Sequence, residues 1–382
     1  MHNFVFQNTV KILFGKGQIA AIKDEIPRTA RILITCGSGS AEKNGTMDQV
    51  RAALKDHTFQ IFRGIEPNPS YETLMKAVEI VRQEKIGYLL AVGGGSVIDG
   101  TKFIAAAAPF QGEPWDILDK QAPVTKALPL AAVLTLPATG SEMNGGAVIS
   151  RQSTQDKLFF ISPLVLPLFS VLDPTVTFSL PPRQIANGVG DAFVHVVEQY
   201  LTYPCAAPLQ DRLAESILQT LIEIGPQTLA NPTDYDARAN LMWCATMALN
   251  NLIGQGVAQD WSTHMIGHEL TALYGVDHGQ SLAIVLPRNL QVRREAKHEK
   301  LVQYARRVWG RTEKDEEKLI DAAIARTREF FESLGLHTTM AGYGLSCDSD
   351  KVIAQLERHG RIALGEKGDV TPDVVREILH GI

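Results

Sequence analysis

Cysteine is scarce in this chain: Cys36, Cys205, Cys244 and Cys347 are the four it has. They stand far apart without a C-x-x-C pair, which argues against a disulfide framework and a thiolate metal site and points to a reducing compartment. Long apolar runs are missing as well. The N-terminus, MHNFVFQNTVKILFGKGQ, is broken by Asn, Gln and Lys, so it has no signal-peptide core. No later segment reaches the about 18 unbroken apolar residues of a membrane span. The expected location is therefore cytoplasmic, with no membrane partner. Basic charge is not in surplus either: 37 Lys and Arg against 42 Asp and Glu leave a net charge of −5 with no long basic run. Nucleic acid is not an expected partner on that balance. Internal repeats and low-complexity segments are absent.

What is present is a globular composition, 45% hydrophobic and 21% charged, over 382 residues. That length exceeds what one core usually organises, so two domains with a cleft between them are expected. The first half alternates β-branched runs with amphipathic stretches, the pattern of βαβ units and a largely parallel sheet. Strands are predicted at Arg31–Thr35, Gln60–Phe62, Tyr88–Val92, Leu130–Leu136 and Ser170–Leu172, with helices at Thr46–Lys55, Tyr71–Glu84 and Ser96–Ala108. Beyond Pro181-Pro182 helical patterns take over, at Pro208–Ile222, Ala237–Leu252, Asp260–Tyr274 and Glu316–Leu334. The expected division is an α/β domain over residues 1–180 and an α-helical domain over residues 181–382.

The strand ending at Val92 runs into Gly93-Gly94-Gly95-Ser96 and then a helix. Glycines there let backbone N–H groups approach an anion at the positive helix end, as a dinucleotide pyrophosphate requires. The same residues also fit a plain capping box, S-x-x-D, made by Ser96 and Asp99. A second turn, Gly37-Ser38-Gly39-Ser40, follows the first strand but lacks the third glycine of G-x-G-x-x-G, because Glu42 stands there. No carboxylate ends that strand to take a ribose hydroxyl. Ser38, Ser40 and Lys43 could instead donate to a 2′-phosphate, which favours NADP over NAD, unless the turn is only a solvated polar loop.

In the helical half, Asp191 and His195 are four apart and so project from one helix face. His264 and His268 are again four apart, Gly275 should end their helix, and His278 follows on the next segment. An Asp with three His offers ligands suited to Zn²⁺ or Fe²⁺ and leaves a position open for substrate oxygen. A single helical His is more often a packing residue, but three of the chain's ten lie within fifteen residues. The zincin motif H-E-x-x-H does not apply, since Met265 follows His264 and the acid, Glu269, follows the second His. A metallopeptidase is disfavoured.

These residues, with NTVKILFGKG, GIEPNPS, AVGGGSVIDGTKFIAA, TLPATGSE, LPPRQIANGVGDAFVH and HMIGHELTALYGVDHG, resemble the iron-containing, or group III, alcohol dehydrogenase family. Within it the resemblance is closest to the NADPH-dependent aldehyde reductases and butanol-dehydrogenase-like enzymes. It runs nearly end to end. It implies an N-terminal dinucleotide-binding domain and a C-terminal helical domain, the fold shared with dehydroquinate synthase. It further implies one divalent metal held by Asp191, His195, His264 and His278, with His268 beside them as a non-ligand. Gly94, Gly95, Ser96, Asp99, Thr135 and Thr139 would contact the pyrophosphate and nicotinamide half of the cofactor, and Lys157 its ribose. Gly37, Ser38 and Ser40 of the second turn are further candidate cofactor contacts on the NADP reading given above. Where NAD-using relatives carry an Asp at the first strand's end, this chain has Cys36-Gly37.

The implied reaction is hydride transfer between nicotinamide C4 and a carbonyl whose oxygen sits on the metal. His268 would relay the proton, or else orient His264. A homodimer is expected from the resemblance, and no stretch identifies its interface. One rival is a lyase resembling dehydroquinate synthase, which needs basic residues around an acidic substrate; the segments GQGVAQDWSTHM and LTALYGVDHG are instead apolar or neutral. Another is a nucleotide-binding protein whose histidines only pack.

Overall fold

The computed structural model describes all 382 residues. They form two compact units, Gln7–Leu180 with Pro232–Thr246, and Met1–Phe6 with Pro181–Asn231 and Met247–Ile382. The chain changes unit in front of the Pro181-Pro182 pair and later goes back for one helical stretch.

The first unit is built on strands β1 (Lys11–Phe14), β2 (Arg31–Cys36), β3 (Thr58–Phe62), β4 (Tyr88–Gly94), β5 (Leu130–Leu136), β6 (Gly146–Arg151), β7 (Asp156–Ile161) and β8 (Phe169–Leu172). Six make a sheet in the order β1-β8-β5-β4-β2-β3, parallel throughout. Its inner strands read as unbroken apolar runs because helices cover both faces. Leu33, Leu89 and Ala91 point to one side, against Leu74, Val78 and Ile104 of the helices Tyr71–Gln83 and Gly95–Ala107. Ile32, Ile34, Leu90 and Val92 alternate to the other, with Met47 and Val50 of the helix Thr46–Ala53. Strand order reverses between β2 and β4, and in such sheets ligands bind beyond the carboxyl ends of the strands at that reversal.

Two pieces of this unit lie outside the predicted elements. β1 is a four-residue edge strand, too short to show a period. β6 and β7 form a separate antiparallel hairpin that buries Ala147 and Ile149 on one strand, Leu158 and Phe160 on the other. The predicted capping box at Ser96 and Asp99 is not formed. The helix starts one residue earlier, at Gly95, with Gly94 as its cap, and Ser96 Oγ instead accepts from the Asn68 N–H at 3.3 Å.

The second unit is helical, with helices Pro182–Tyr200, Pro208–Ala230, Ser262–Tyr274, His278–Val292, His298–Arg307, Glu316–Ser333, Ser349–Arg358 and Pro372–Leu379. The helix predicted to stop at Ile222 runs on to Ala230 through Pro226, held by the buried side chains of Leu218, Leu221 and Ile224. No helix is long and apolar enough to cross a membrane.

Candidate metal centre and cofactor turn

The helix Pro182–Tyr200 is buried along nearly its whole length, so Asp191 and His195, one turn apart, both face the interior. Opposite them, the Ser262–Tyr274 helix carries His264 and His268 and ends at Gly275, whose φ of 72° is the left-handed cap glycine tolerates. His278 opens the next helix. Asp277 caps that helix through a reciprocal capping box with Gln280, which fixes the direction in which His278 leaves the turn. Gly279 lets this turn approach the first helix: a Cβ there would lie 2.5 Å from the Asn187 carbonyl oxygen. Asn187 stands one turn before Asp191, so the approach delivers His278 to the carboxylate.

Three imidazoles converge on one oxygen. Asp191 Oδ1 lies 3.5 Å from His195 Nε2, 3.8 Å from His264 Nε2 and 3.5 Å from His278 Nε2. Bonds of about 2.0–2.2 Å to a tetrahedral ion would place its ligand atoms about 3.3–3.6 Å apart, so the spacing is that of a donor set around one cation. The donor atoms of Asp191, His195 and His264 all fall within 4.8 Å of one another. His264 Nε2 is buried with no hydrogen-bond partner, as a nitrogen reserved for a metal would be. Burial pushes His195 down to about 4 and so keeps it neutral, the form that ligates. Burial also works against a charged His264, yet the carboxylates of Glu198 and Asp191 outweigh it and push that ring up to about 9. The carboxylates thus favour positive charge here, which a divalent ion supplies as well as a proton does. The residues fit a metal.

His268 is buried, its ring centroid 5.3 Å from that of His278 and 6.3 Å from that of His264. Glu198, which the sequence reading passed over, follows His195 on the same helix. Its Oε1 accepts the Thr263 N–H at 2.6 Å, and its Oε2 accepts the His264 N–H at 3.2 Å and the His264 Nδ1 proton in a short contact. The signal was available: Glu198 lies seven residues after Asp191, on the face already marked by Asp191 and His195.

In the first unit, Gly94 and Gly95 occupy the β4-to-helix turn. A Cβ on Gly95 would come 2.4 Å from Thr139 Oγ1, so only glycine lets the two loops touch. Thr135 is buried in β5, and Thr139 Oγ1 accepts the Ser141 N–H at 3.2 Å. Lys157, on β7, donates to Asn68 Oδ1 at 2.9 Å, and Asn68 in turn donates to Ser96, so Lys157 is tied to the glycine turn through one residue. Asp99 is buried, and its carboxylate is bound within the same unit. It accepts from Ser141 Oγ at 2.5 Å and from the Val148 N–H at 2.9 Å.

Lys102, one helical turn from Ile98 and wholly buried, was not singled out in the sequence because an amphipathic reading turns lysines outward. It donates to Ser141 Oγ at 2.8 Å, Asn144 Oδ1 at 3.1 Å and the Gly146 carbonyl at 2.8 Å, pinning the Thr139–Gly146 loop beside the turn. Burial pulls its amine down to about 8 against the opposing pull of Asp99 and Glu142. At the end of β2, Gly37 accepts the Gly64 N–H at 3.3 Å, and Ser38 and Gly39 lead into a short helix opening at Ser40. Glu42 is clamped by Arg51 at 2.5 Å and Arg63 at 3.0 Å, which hold its carboxyl below the usual range.

A parallel α/β unit with a glycine turn at its strand reversal and a helical unit with a His₃Asp cluster define a nucleotide-dependent metalloenzyme class. Residues 9–174 match the family model described as iron-containing alcohol dehydrogenase, and residues 184–382 that of the C-terminal part of the same family. The chain belongs to the iron-containing alcohol dehydrogenase family. It is 58% identical over 384 aligned residues, spanning 100% of this chain and 99% of the relative, to the NADPH-dependent aldehyde reductase YqhD of Escherichia coli. A crystal structure of E. coli YqhD superposes with a TM-score of 0.99 at 56% identity, covering 100% of this chain and 98% of that one. The NADH-dependent butanol dehydrogenase A of Clostridium acetobutylicum is 39% identical over 99% of both chains.

Proposed function

We propose that this chain is a metal-dependent, NADP(H)-dependent alcohol dehydrogenase that works as a reductase of small aldehydes. The observation that carries the reading is the convergence of three imidazole nitrogens on Asp191 Oδ1 within 3.5–3.8 Å, in a member of this family. Asp191, His195, His264 and His278 would hold one Zn²⁺ or Fe²⁺. When bound, the metal supplies a Lewis acid for the carbonyl oxygen and the nicotinamide supplies hydride. Gly94, Gly95 and Ser96 would present backbone N–H groups to the pyrophosphate, with Thr135, Thr139 and Lys157 beside them. Asp99 has the supporting task of fixing Ser141 and Val148 behind that turn. His268, buried next to His278, would deliver the proton to the nascent alcohol.

Relatives divide between NADPH and NADH, as the names of the two described above show. NADP is supported by Gly37, Ser38 and Ser40 at the end of β2, where no carboxylate meets the ribose. Glu42 does not oppose a phosphate there, because Arg51 and Arg63 neutralise it. A cytoplasmic setting accords with four free cysteines. A homodimer accords with the run Phe4, Val5 and Phe6, exposed by 50%, 92% and 42%; light scattering would read one mass or two.

The test is loss of NADPH or NADH absorbance with butanal, after the metal is stripped and Zn²⁺ or Fe²⁺ restored. Metal-dependent oxidation that prefers NADPH is expected. Oxidation of neither cofactor under any metal would overturn the reading. For the proton step, His268→Ala is expected to lower kcat by at least about tenfold, and a smaller loss removes the relay.

A further inference from the structure

The Ser262–Tyr274 helix begins in an unusual way. Its cap residue, Trp261, has φ 65° and offers no side-chain hydrogen bond to the first turn. The N–H donors of that turn, which have no partner within the helix, are taken by two carboxylates. Asp260 Oδ1 accepts the Ser262 N–H at 3.0 Å, while Glu198 accepts those of Thr263 and His264. Glu198 is only 2% exposed and comes from a different helix, the one that carries Asp191 and His195. The same carboxylate receives the Nδ1 proton of the His264 ring. Asp260 is held in turn by Lys297 at 2.8 Å, which also donates to the Leu201 carbonyl at 2.6 Å and to Glu366 at 3.0 Å.

We propose that Glu198 is the positioning residue of the metal centre, fixing the backbone of the His264 turn and the ring of His264 through one carboxylate, so that Nε2 is the coordinating nitrogen. The inference rests on the metal-site reading given above. Two backbone donors converge on Glu198, so its oxygens act as acceptors and Nδ1 must be the donating ring nitrogen. That leaves Nε2, 3.8 Å from Asp191 Oδ1, as the nitrogen whose proton a metal can replace. Glutamine at 198 keeps the shape but presents an NH₂ group. Turned toward Thr263 it opposes a backbone N–H; turned toward His264 it demands the tautomer protonated at Nε2, which cannot ligate. Ligand-orienting partners of this kind are worth about 10- to 100-fold in metal affinity.

The experiment measures Zn²⁺ affinity by competition with a chromophoric chelator, alongside melting temperature, for the wild type, Glu198→Gln and Asp315→Ala. Asp315 caps a distant helix of the same unit by accepting the Glu317 N–H at 3.0 Å. Asp315→Ala is expected to lower melting temperature and leave Zn²⁺ affinity within about twofold, whereas Glu198→Gln is expected to weaken Zn²⁺ by about 10- to 100-fold. Equal Zn²⁺ affinity in wild type and Glu198→Gln overturns the positioning role while leaving the metal site standing. Failure of the wild type to bind Zn²⁺ overturns the metal-site reading itself. A second measurement needs no variant: in cadmium-loaded wild type, heteronuclear NMR of the histidine rings is expected to show metal coupling at His264 Nε2 with the Nδ1 proton retained. Coupling at Nδ1 overturns the proposal even if Glu198→Gln does not fold.

Discussion

At the scale of single residues, the sequence announces the candidate metal ligands better than it announces what surrounds them. The i, i+4 spacing of Asp191 and His195, and of His264 and His268, survives translation into structure because helix geometry is local. Asn68, Lys102 and Glu198 were not read because their roles depend on partners that long-range folding supplies, 28, 39 and 66 residues away in the case of Ser96, Ser141 and His264. Gly95 is testable directly. Gly95→Ala drives a Cβ into Thr139, a strain of about 1–3 kcal/mol, and is expected to weaken NADPH binding about tenfold, measured by fluorescence titration, with the fold retained. Lys102 gives a pH signature. Its folded value, about 8, lies below the ordinary lysine value of 10.5, so between these the unfolded chain holds more protons and stability rises with pH. The cost of burying the charge is complete below about pH 8. Lys102→Met is expected to lose stability overall, since it removes three buried hydrogen bonds, and to lose this upward slope; denaturant melts from pH 8 to pH 9.5, short of tyrosine ionisation at about pH 10, would show it.

Helices and strands were legible to different depths. Strands buried on both faces, β2, β4 and β5, declare themselves as apolar runs between turn residues, and their observed bounds differ from the expected ones by no more than two residues. The β6–β7 hairpin was missed although its buried apolar residues alternate, because the polar stretch from Arg151 to Lys157 interrupts the run between them. The His278 helix was missed for another reason. Its sign is the capping box Asp277-x-x-Gln280, obscured by the proximity of the preceding helix end at Gly275. Removing that cap should be felt at two levels. Asp277→Ala is expected to cost about 1 kcal/mol of stability and also to loosen metal retention, since His278 is the first residue after the cap; a thermal melt and a metal analysis after dialysis against chelator would check both. Unchanged metal retention would mean that Gly279 and its contact with Asn187 suffice to place His278.

For the whole molecule, the candidate metal ligands all lie in one compact unit and the cofactor turn in the other. Stripping the metal is expected to abolish NADPH oxidation by butanal while NADPH binding, read by quenching of protein fluorescence, persists, because none of the candidate metal ligands builds the glycine turn. Cofactor binding that disappears with the metal would show that the two functions are coupled. The first unit also depends on a late stretch of sequence. Met242 belongs to its core, and Thr246 donates to the buried Glu142 at 2.5 Å. A fragment ending at Leu180 would leave that carboxylate without its hydroxyl partner.

This return of the chain sets a timetable for synthesis. The sheet emerges first from the ribosome, but its unit is not closed until Thr246 has been made. At roughly 5–20 residues per second the nascent sheet waits several seconds with part of its core uncovered. During that interval the Pro182–Tyr200 helix, bearing Asp191 and His195, is made while His264 and His278 are not. The last residues of the sheet unit are thus made before His264 and His278, and a gene divided at the unit boundary near codon 180 would encode two products, neither of which contains a complete unit.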